Sequence, residues 1–215
     1  MHIFDLFMEF LYPPRCPSCR SYVKHEGDWC LPCMQKAVQV HPVALPPDSV
    51  LEKVWALGRY HGTMRRLIIN LKYNGKMSAL RSIHKYITAA TISLRLPACE
   101  YITVCVPLHK KRMEQRGFNQ TELIFKKWIA ENSKDFVDCL ERTYFTQRQY
   151  KLSRTERFQN MQNTFSLKTN FNAAGKVFLL LDDIYTTGAT MESCARHLRS
   201  KGAAAVYGLV LASDA

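Results

Sequence analysis

The chain is 215 residues long, 47% hydrophobic, 11% aromatic and 22% charged, a globular composition that excludes a disordered or fibrous chain. It contains no run of about 18 consecutive apolar residues, which excludes a transmembrane helix. The formal net charge of +12 points to anionic partners, nucleic acid or phosphorylated small molecules, without choosing between them.

Residues 1–12 place Ile3, Phe4, Phe7, Met8 and Leu11 on one helical face and Asp5 and Glu9 on the other. That acidic polar face suits docking against the body of the protein better than a membrane surface. Next come Cys16-Pro-Ser-Cys19 and Cys30-Leu-Pro-Cys33, two C-x2-C turns separated by ten residues. Each turn presents two thiolates to one ion, and together they complete a tetrahedral Zn2+ site whose closed shell makes it structural. Disulfide pairing is the alternative and fits poorly. Asp5 and Glu9 interrupt the first apolar stretch, and no basic segment precedes it as in a secretory leader. A reducing, cytoplasmic setting is therefore expected, with Cys99, Cys105, Cys139 and Cys194 as buried packing residues. Pro42, Pro46 and Pro47 mark a joint between a zinc-bearing segment, 1–48, and a second domain, 49–215.

Residues 51–97 hold nine Lys/Arg against one Asp/Glu, whereas residues 1–50 hold four against five. A basic face is expected from Arg59, Arg65, Arg66, Lys72, Lys76, Arg81, Lys85 and Arg95. Trp55, Tyr60, Tyr73 and Tyr86 are interleaved with them as candidate stacking partners for nucleic-acid bases, although core packing suits most of these aromatics better. A solvated helix surface is the plainer reading of the charges. Here 54–60 reads as a strand, 63–71 as a helix, 73–75 as a turn and 78–94 as a longer basic helix. Residues 101–106, YITVCV, form a continuous apolar run suited to a central parallel strand. A cationic loop follows, then a helix over 119–130. Residues 177–181 (VFLLL) read as a second buried strand, 190–200 as a helix stopped by Gly202, and 204–211 as a last strand. Strands alternating with helices give an α/β domain with a mainly parallel sheet.

The most informative stretch is FLLLDDIYTTGAT, residues 178–190. In an open α/β sheet, ligands bind beyond the carboxyl ends of the strands. Asp182 and Asp183 stand at such an end, and Thr186, Thr187, Gly188, Ala189 and Thr190 form a turn leading into a helix. The backbone N–H groups of that turn and the helix N-terminus cradle a phosphate. Carboxylates repel phosphate but accept hydrogen bonds from vicinal hydroxyls, so a ribose 5-phosphate fits both halves. Neither G-x-x-x-x-G-K-[ST] nor G-x-G-x-x-G occurs. Mg2+ binding by the paired aspartates is the alternative, and it leaves the following TTGAT unexplained.

These thirteen residues resemble the signature by which class I phosphoribosyltransferases bind 5-phosphoribosyl 1-pyrophosphate (PRPP). Three further segments narrow the resemblance: Val104-Cys-Val-Pro107-Leu-His109-Lys110-Lys111-Arg112, then Arg116-Gly117-Phe118-Asn119-Gln120, then Gln149, Leu152-Ser153, Arg157, Asn160 and Phe165 with their spacing. With the four-cysteine knuckle in front, the whole chain resembles the ComF/ComFC competence family and its GntX-like relatives. The resemblance implies a class I phosphoribosyltransferase-like fold with an N-terminal zinc knuckle. It implies Asp182 and Asp183 on the ribose 2′- and 3′-hydroxyls, and residues 186–190 on the 5′-phosphate. Lys110, Lys111, Arg112 and Arg116 would serve a pyrophosphate loop over 107–116, and Arg148, Lys151, Arg154 and Arg157 a mobile hood over about 145–165. Mg2+ would accompany PRPP. Three functions are then open. The first is a DNA-uptake factor whose zinc knuckle and basic 51–97 stretch engage single-stranded DNA while the α/β domain binds PRPP; the second is a phosphoribosyltransferase acting on an unidentified acceptor. The third is a scaffold docking a DNA-uptake helicase or pore protein.

Overall fold

The computed structural model describes residues 12–74, 77–108, 110–132, 135–142, 165–168 and 171–214. Helix α1 (Leu31–Ala37) starts inside the second C-x2-C turn, with Cys30 at its N-cap and Cys33 in its first turn, and leads to a two-residue strand, β1 (His41–Pro42). Strand β2 (Lys53–Ala56), helices α2 (Gly62–Asn74) and α3 (Met77–Thr91), and strand β3 (Ile102–Cys105) come next. Helices α4 (Lys110–Arg116) and α5 (Gln120–Asn132) precede three short strands, β4 (Asp135–Phe136), β5 (Leu140–Arg142) and β6 (Phe165–Leu167). Strand β7 (Val177–Tyr185), helix α6 (Ala189–Ser200) and strand β8 (Ala205–Ser213) complete the described chain.

Six strands form one sheet in the order β1-β2-β8-β7-β3-β4, and every pair except β1–β2 is parallel. Strands β5 and β6 pair antiparallel as a separate ribbon. The alternation of strand side chains sorts the apolar residues into two layers. Leu179, Leu181, Leu209 and Leu211 pack with Leu71 of α2, Ile83 of α3 and Phe125 of α5. On the opposite face Phe178, Leu180, Val206 and Val210 pack with Met191, Cys194 and Leu198 of α6. Each of these side chains is at most 2% exposed, and burial of one Leu contributes about 1.5–3 kcal/mol. A Cβ at Gly208 would lie 2.3 Å from Met191 Sδ, so glycine lets α6 approach β8 this closely. The architecture is a mainly parallel α/β sheet with a four-cysteine segment in front, as the resemblance implies.

Several sequence expectations change in detail. The strand expected over 54–60 ends at Ala56, after which single bonds from Leu57 N to Val210 O and Tyr60 N to Ser213 O carry the chain along β8. β3 is flanked by β7 and β4 and lies one place from the sheet edge; the central places belong to β7 and β8. The cationic segment expected as a loop contains α4, whose KKRMEQR sequence is made of good helix formers. β7 runs on to Tyr185 rather than stopping at Leu181, because its ladder with β8 continues through Asp182↔Val210 to Tyr185↔Ser213. Pro42 lies in β1 at the sheet edge, where a missing N–H is tolerated, so the joint itself adds a strand to the sheet. Cys105, Cys139 and Cys194 are buried as expected, but Cys99 is exposed in the connection between α3 and β3. The amphipathic helix expected over residues 1–12 lies outside the described residues except for Tyr12.

Candidate functional site

Because β7 extends through them, Asp182 and Asp183 leave the strand on opposite faces. Asp183 follows Leu179 and Leu181 toward α2 and α5, and it is only 5% exposed. Lys72 of α2 brings Nζ to 2.7 Å from Asp183 Oδ2, and Gln120 of α5 donates Nε2–H to the same oxygen at 3.0 Å. The Asp183 N–H turns back onto Asp182 Oδ1 at 2.8 Å, and the Thr121 hydroxyl donates to that oxygen at 3.4 Å. Gln120 and Thr121 are placed by Asn119, which caps α5 by accepting the Thr121 N–H at 3.0 Å and donates to Val106 O at 3.3 Å. Burial, reinforced by the negative charge of Asp183, pushes the Asp182 carboxyl up to about 7. The Asp183 N–H, Lys72 and Thr121 oppose that rise. The two carboxyl groups and the Lys72 ammonium thus form one compact hydrogen-bonded cluster.

Beyond the pair, the chain turns at residues 186–188. Gly188 has φ 73°, and a Cβ there would lie 2.2 Å from Tyr185 Oη, so both backbone and space require glycine. The Ala189 N–H reaches Thr187 Oγ1 at 3.5 Å, and Thr186 and Thr187 are exposed while Gly188, Ala189 and Thr190 are half-buried. Glu192 in the first turn of α6 would repel an anion at the helix start. It is engaged instead, by the Ser49 hydroxyl at 2.7 Å, the Val50 N–H at 3.0 Å and Arg196 at 2.8 Å.

Lys110 is exposed at the start of α4; the side chains of Lys111, Arg112 and Arg116 lie outside the described residues, as do Arg148, Lys151, Arg154 and Arg157 entirely. The β5–β6 pairing, Arg142↔Phe165 and Leu140↔Leu167, brings the two flanks of the expected hood together. A cleft of about 650 Å3 lies between α4–α5 and this ribbon, lined by Lys110, Asn119, Glu122, Asp138, Arg142 and Lys168 among others.

In the N-terminal segment, the sulfurs of Cys16, Cys19, Cys30 and Cys33 all lie within 4.8 Å of one another. Zn–S bonds of about 2.3 Å in a tetrahedron put sulfurs about 3.8 Å apart, so the cluster fits Zn2+. The Ser21 hydroxyl lies 2.6 Å from Cys19 Sγ and, with the Ser21 N–H, pulls that thiol down to about 6. The cluster holds a segment that docks tightly on α3. Trp29 donates Nε1–H to Ser82 O at 3.0 Å and stacks near Tyr86 with ring centres 5.9 Å apart. A Cβ at Gly27 would lie 2.6 Å from Arg81 Cβ, so the segment meets the helix backbone to backbone.

This docking accounts for much of the basic stretch. Arg81 ion-pairs with Glu26, Lys85 with Asp28, and Arg66 donates to Pro17 O at 3.3 Å. Lys72 is held by Asp183, Arg95 donates to Ile92 O and Leu94 O, and Lys76 lies outside the described residues. Arg65 is exposed, and Arg59 bridges to Ser213 through its backbone. Of the candidate stacking aromatics, Trp55 and Tyr86 are 7% and 0% exposed and belong to the core, Tyr60 is half-buried, and the Tyr73 side chain is outside the described residues.

Residues 7–43 match the double zinc ribbon domain family, and residues 142–214 match the phosphoribosyl transferase domain family. Competence protein ComFC of Bacillus subtilis is 29% identical over 206 residues, covering 88% of this chain and 80% of that protein. DNA utilization protein YhgH of Escherichia coli K12 is 28% identical, covering 89% and 80%. Competence protein F of Haemophilus influenzae is 28% identical, covering 88% and 80%. The chain is ComF-like. Among solved structures, a Trypanosoma cruzi hypoxanthine phosphoribosyl transferase aligns at 14% identity and TM-score 0.36, covering 70% of this chain and 66% of that one.

In this ComF-like chain the sequence named Asp182, Asp183 and the cysteines but missed what holds them. Gln120 appeared only as the last letter of a recognised motif, with no role. Charge pattern places Lys72 on the nucleic-acid face, because it carries no information about a carboxylate more than a hundred residues away.

Proposed function

We propose that the chain is a DNA-uptake and natural-transformation factor whose α/β domain binds PRPP with Mg2+ and which contacts single-stranded DNA in the cytoplasm. The observation that carries the ligand half is the ordered acid pair at the end of β7, followed by the Gly188 turn and α6. Asp182 and Asp183 accept the vicinal ribose hydroxyls, and the N–H groups of residues 186–190 take the 5′-phosphate. Lys110, Lys111, Arg112 and Arg116, with Arg148, Lys151, Arg154 and Arg157, neutralise the diphosphate. Mg2+ carried with the diphosphate supplies further positive charge at oxygens it prefers. The DNA half is supported by the net charge of +12 and by the names of the relatives, two competence proteins and a DNA utilization protein.

One observation favours a second reading, phosphoribosyl transfer to an acceptor: the cleft beside α4 and the hood flanks has room for a small molecule. In that reaction an acceptor atom bonds to the anomeric carbon as its bond to pyrophosphate breaks, and the cations stabilise the departing diphosphate.

Thermal unfolding with PRPP and Mg2+ tests the shared premise. Ligand at a hundred times its dissociation constant stabilises the native protein by about 2.7 kcal/mol, and Asp182→Asn should lose most of that shift. An unshifted wild-type transition sinks both readings. Release of pyrophosphate on adding a pool of candidate acceptors separates the second from the first.

A further inference from the structure

The zinc-bearing segment has two faces of opposite character. Residues 12–25 contain Arg15, Arg20 and Lys24 and no Asp or Glu. The acidic residues that follow, Glu26 and Asp28, face α3 and are neutralised there by Arg81 and Lys85. The near-zero net charge of residues 1–50 therefore conceals a dipolar module, acidic toward the body and basic away from it.

The basic face has a defined geometry. Residues 14–16 and 21–23 form a small antiparallel hairpin, bonded Cys16 N to Ser21 O at 2.9 Å and Val23 N to Pro14 O at 3.0 Å, with Arg15 opposite Tyr22. Alternation turns Cys16 and Val23 inward, where both are buried. The same alternation puts Arg15, Tyr22 and Lys24 on the outer face, where all three are exposed. Tyr22 is 68% exposed, a large aromatic left in water with cations directly opposite and two residues along. At the tip stands Arg20, with φ 69° the sole non-glycine residue in the left-handed region among the described residues. Glycine would occupy that conformation without strain, so the guanidinium is kept at a position that disfavours it. Arg15 fixes the tip by donating Nη1–H to Arg20 O at 3.1 Å.

We propose that the outer face of this hairpin, Arg15, Arg20, Tyr22 and Lys24, is a contact site for a single-stranded polynucleotide, with a base stacked on Tyr22 and flanking phosphates on the three cations. The proposal rests on the nucleic-acid half of the function above and narrows the contact to four residues of the zinc module, since several of the α2–α3 cations are engaged within the chain. An exposed ring flanked by cations is the arrangement by which strands are held without sequence preference. Single-stranded DNA matches its charge along the backbone and its ring at the bases.

Fluorescence anisotropy of a labelled oligothymidylate with the full zinc-loaded chain tests it. Tyr22→Ala should weaken binding at least about tenfold, and Tyr22→Phe should recover most of that loss, because stacking needs the ring and not the hydroxyl. Arg20→Gly should weaken binding and flatten the salt dependence by about 0.7 in log–log slope. The same substitution should hold or raise thermal stability, since it relieves the left-handed backbone, which a merely structural arginine would not do. Lys126→Ala, an exposed cation on α5, should leave affinity unchanged within about twofold. On an abasic strand of equal length, Tyr22→Ala should have no effect. If wild type binds and Tyr22→Ala and Arg20→Gly bind equally well, the site is elsewhere and this inference falls alone. If Tyr22→Ala weakens the abasic strand as much, stacking is refuted. Failure of wild type to bind at low salt removes the nucleic-acid reading itself, and this site with it.

Discussion

Two pairs of acidic residues meet cations from the same basic stretch, and they are built for different purposes. Glu26 and Asp28 pair with Arg81 and Lys85 at the surface, the first couple with side chains 60% and 54% exposed. Asp183 pairs with Lys72 where the side chains are only 7% and 17% exposed, and Asp182 lies beside it. In water, attraction between unit charges is largely offset by solvation, so the outer pairs orient the zinc module more than they hold it. At the inner pair burial, reinforced by the charge of Asp183, raises the Asp182 carboxyl, and Lys72 offsets only part of that rise. Charge pattern alone assigns both sets of cations to one face; burial separates them.

Zinc removal should perturb the outer region most. Structural Zn2+ is worth about 10–16 kcal/mol in isolated fingers, so a chelator or Cys16→Ser should unfold residues 12–37 and release Trp29 from Ser82. The readout is loss of metal together with faster amide exchange in α3; unchanged exchange would show that α3 does not need its cover. At the inner pair, Lys72→Met leaves a buried carboxylate unmatched and should cost about 3 kcal/mol by denaturant unfolding, with Asp183→Asn in the same chain recovering most of it. A loss that the second substitution does not recover would assign the effect to packing.

The raised Asp182 carboxyl predicts a pH dependence of defined sign. The folded state binds this proton more tightly than the unfolded state, so its stabilising contribution is full below about pH 4 and is lost as pH rises through about 7. Asp182→Asn should remove that decline and gain about 2–4 kcal/mol at pH 8. A stability profile parallel to wild type across this window would show that Asp182 titrates normally. The smallest effect belongs to the outer ion pairs. Arg81→Ala and Lys85→Ala should each cost less than about 1 kcal/mol and lose that effect in 1 M salt, whereas Lys72→Met should keep its cost there.

The features legible in the sequence were those set by local rules. The VFLLL run announces a strand buried on both faces, and two C-x2-C turns ten residues apart announce one metal site. The β7 boundary is not legible, because two aspartates look like a strand end. The ladder with Val210 and Ser213 of β8 carries the strand past them. The β5–β6 ribbon has three residues per strand, too few for a period to show. Trp29, Gly27 and Tyr86 owe their places to a docking across more than fifty residues of chain, which no spacing rule encodes. Cys99 is exposed although cysteine composition favours burial; in the link between α3 and β3 it is Leu94 and Leu96 that pack on the core.

The strand order has a consequence for assembly of the chain during synthesis. β2 hydrogen-bonds to β1 and to β8, and β8 follows it by about 150 residues. A ribosome delivers the cysteine segment and both basic helices long before the strand that ties β2 to β7 emerges. During that interval the metal is the strongest organiser the nascent chain has, and the later helices meet an already shaped surface. Closure of the sheet is then a late, long-range step, the kind that sets slow folding rates.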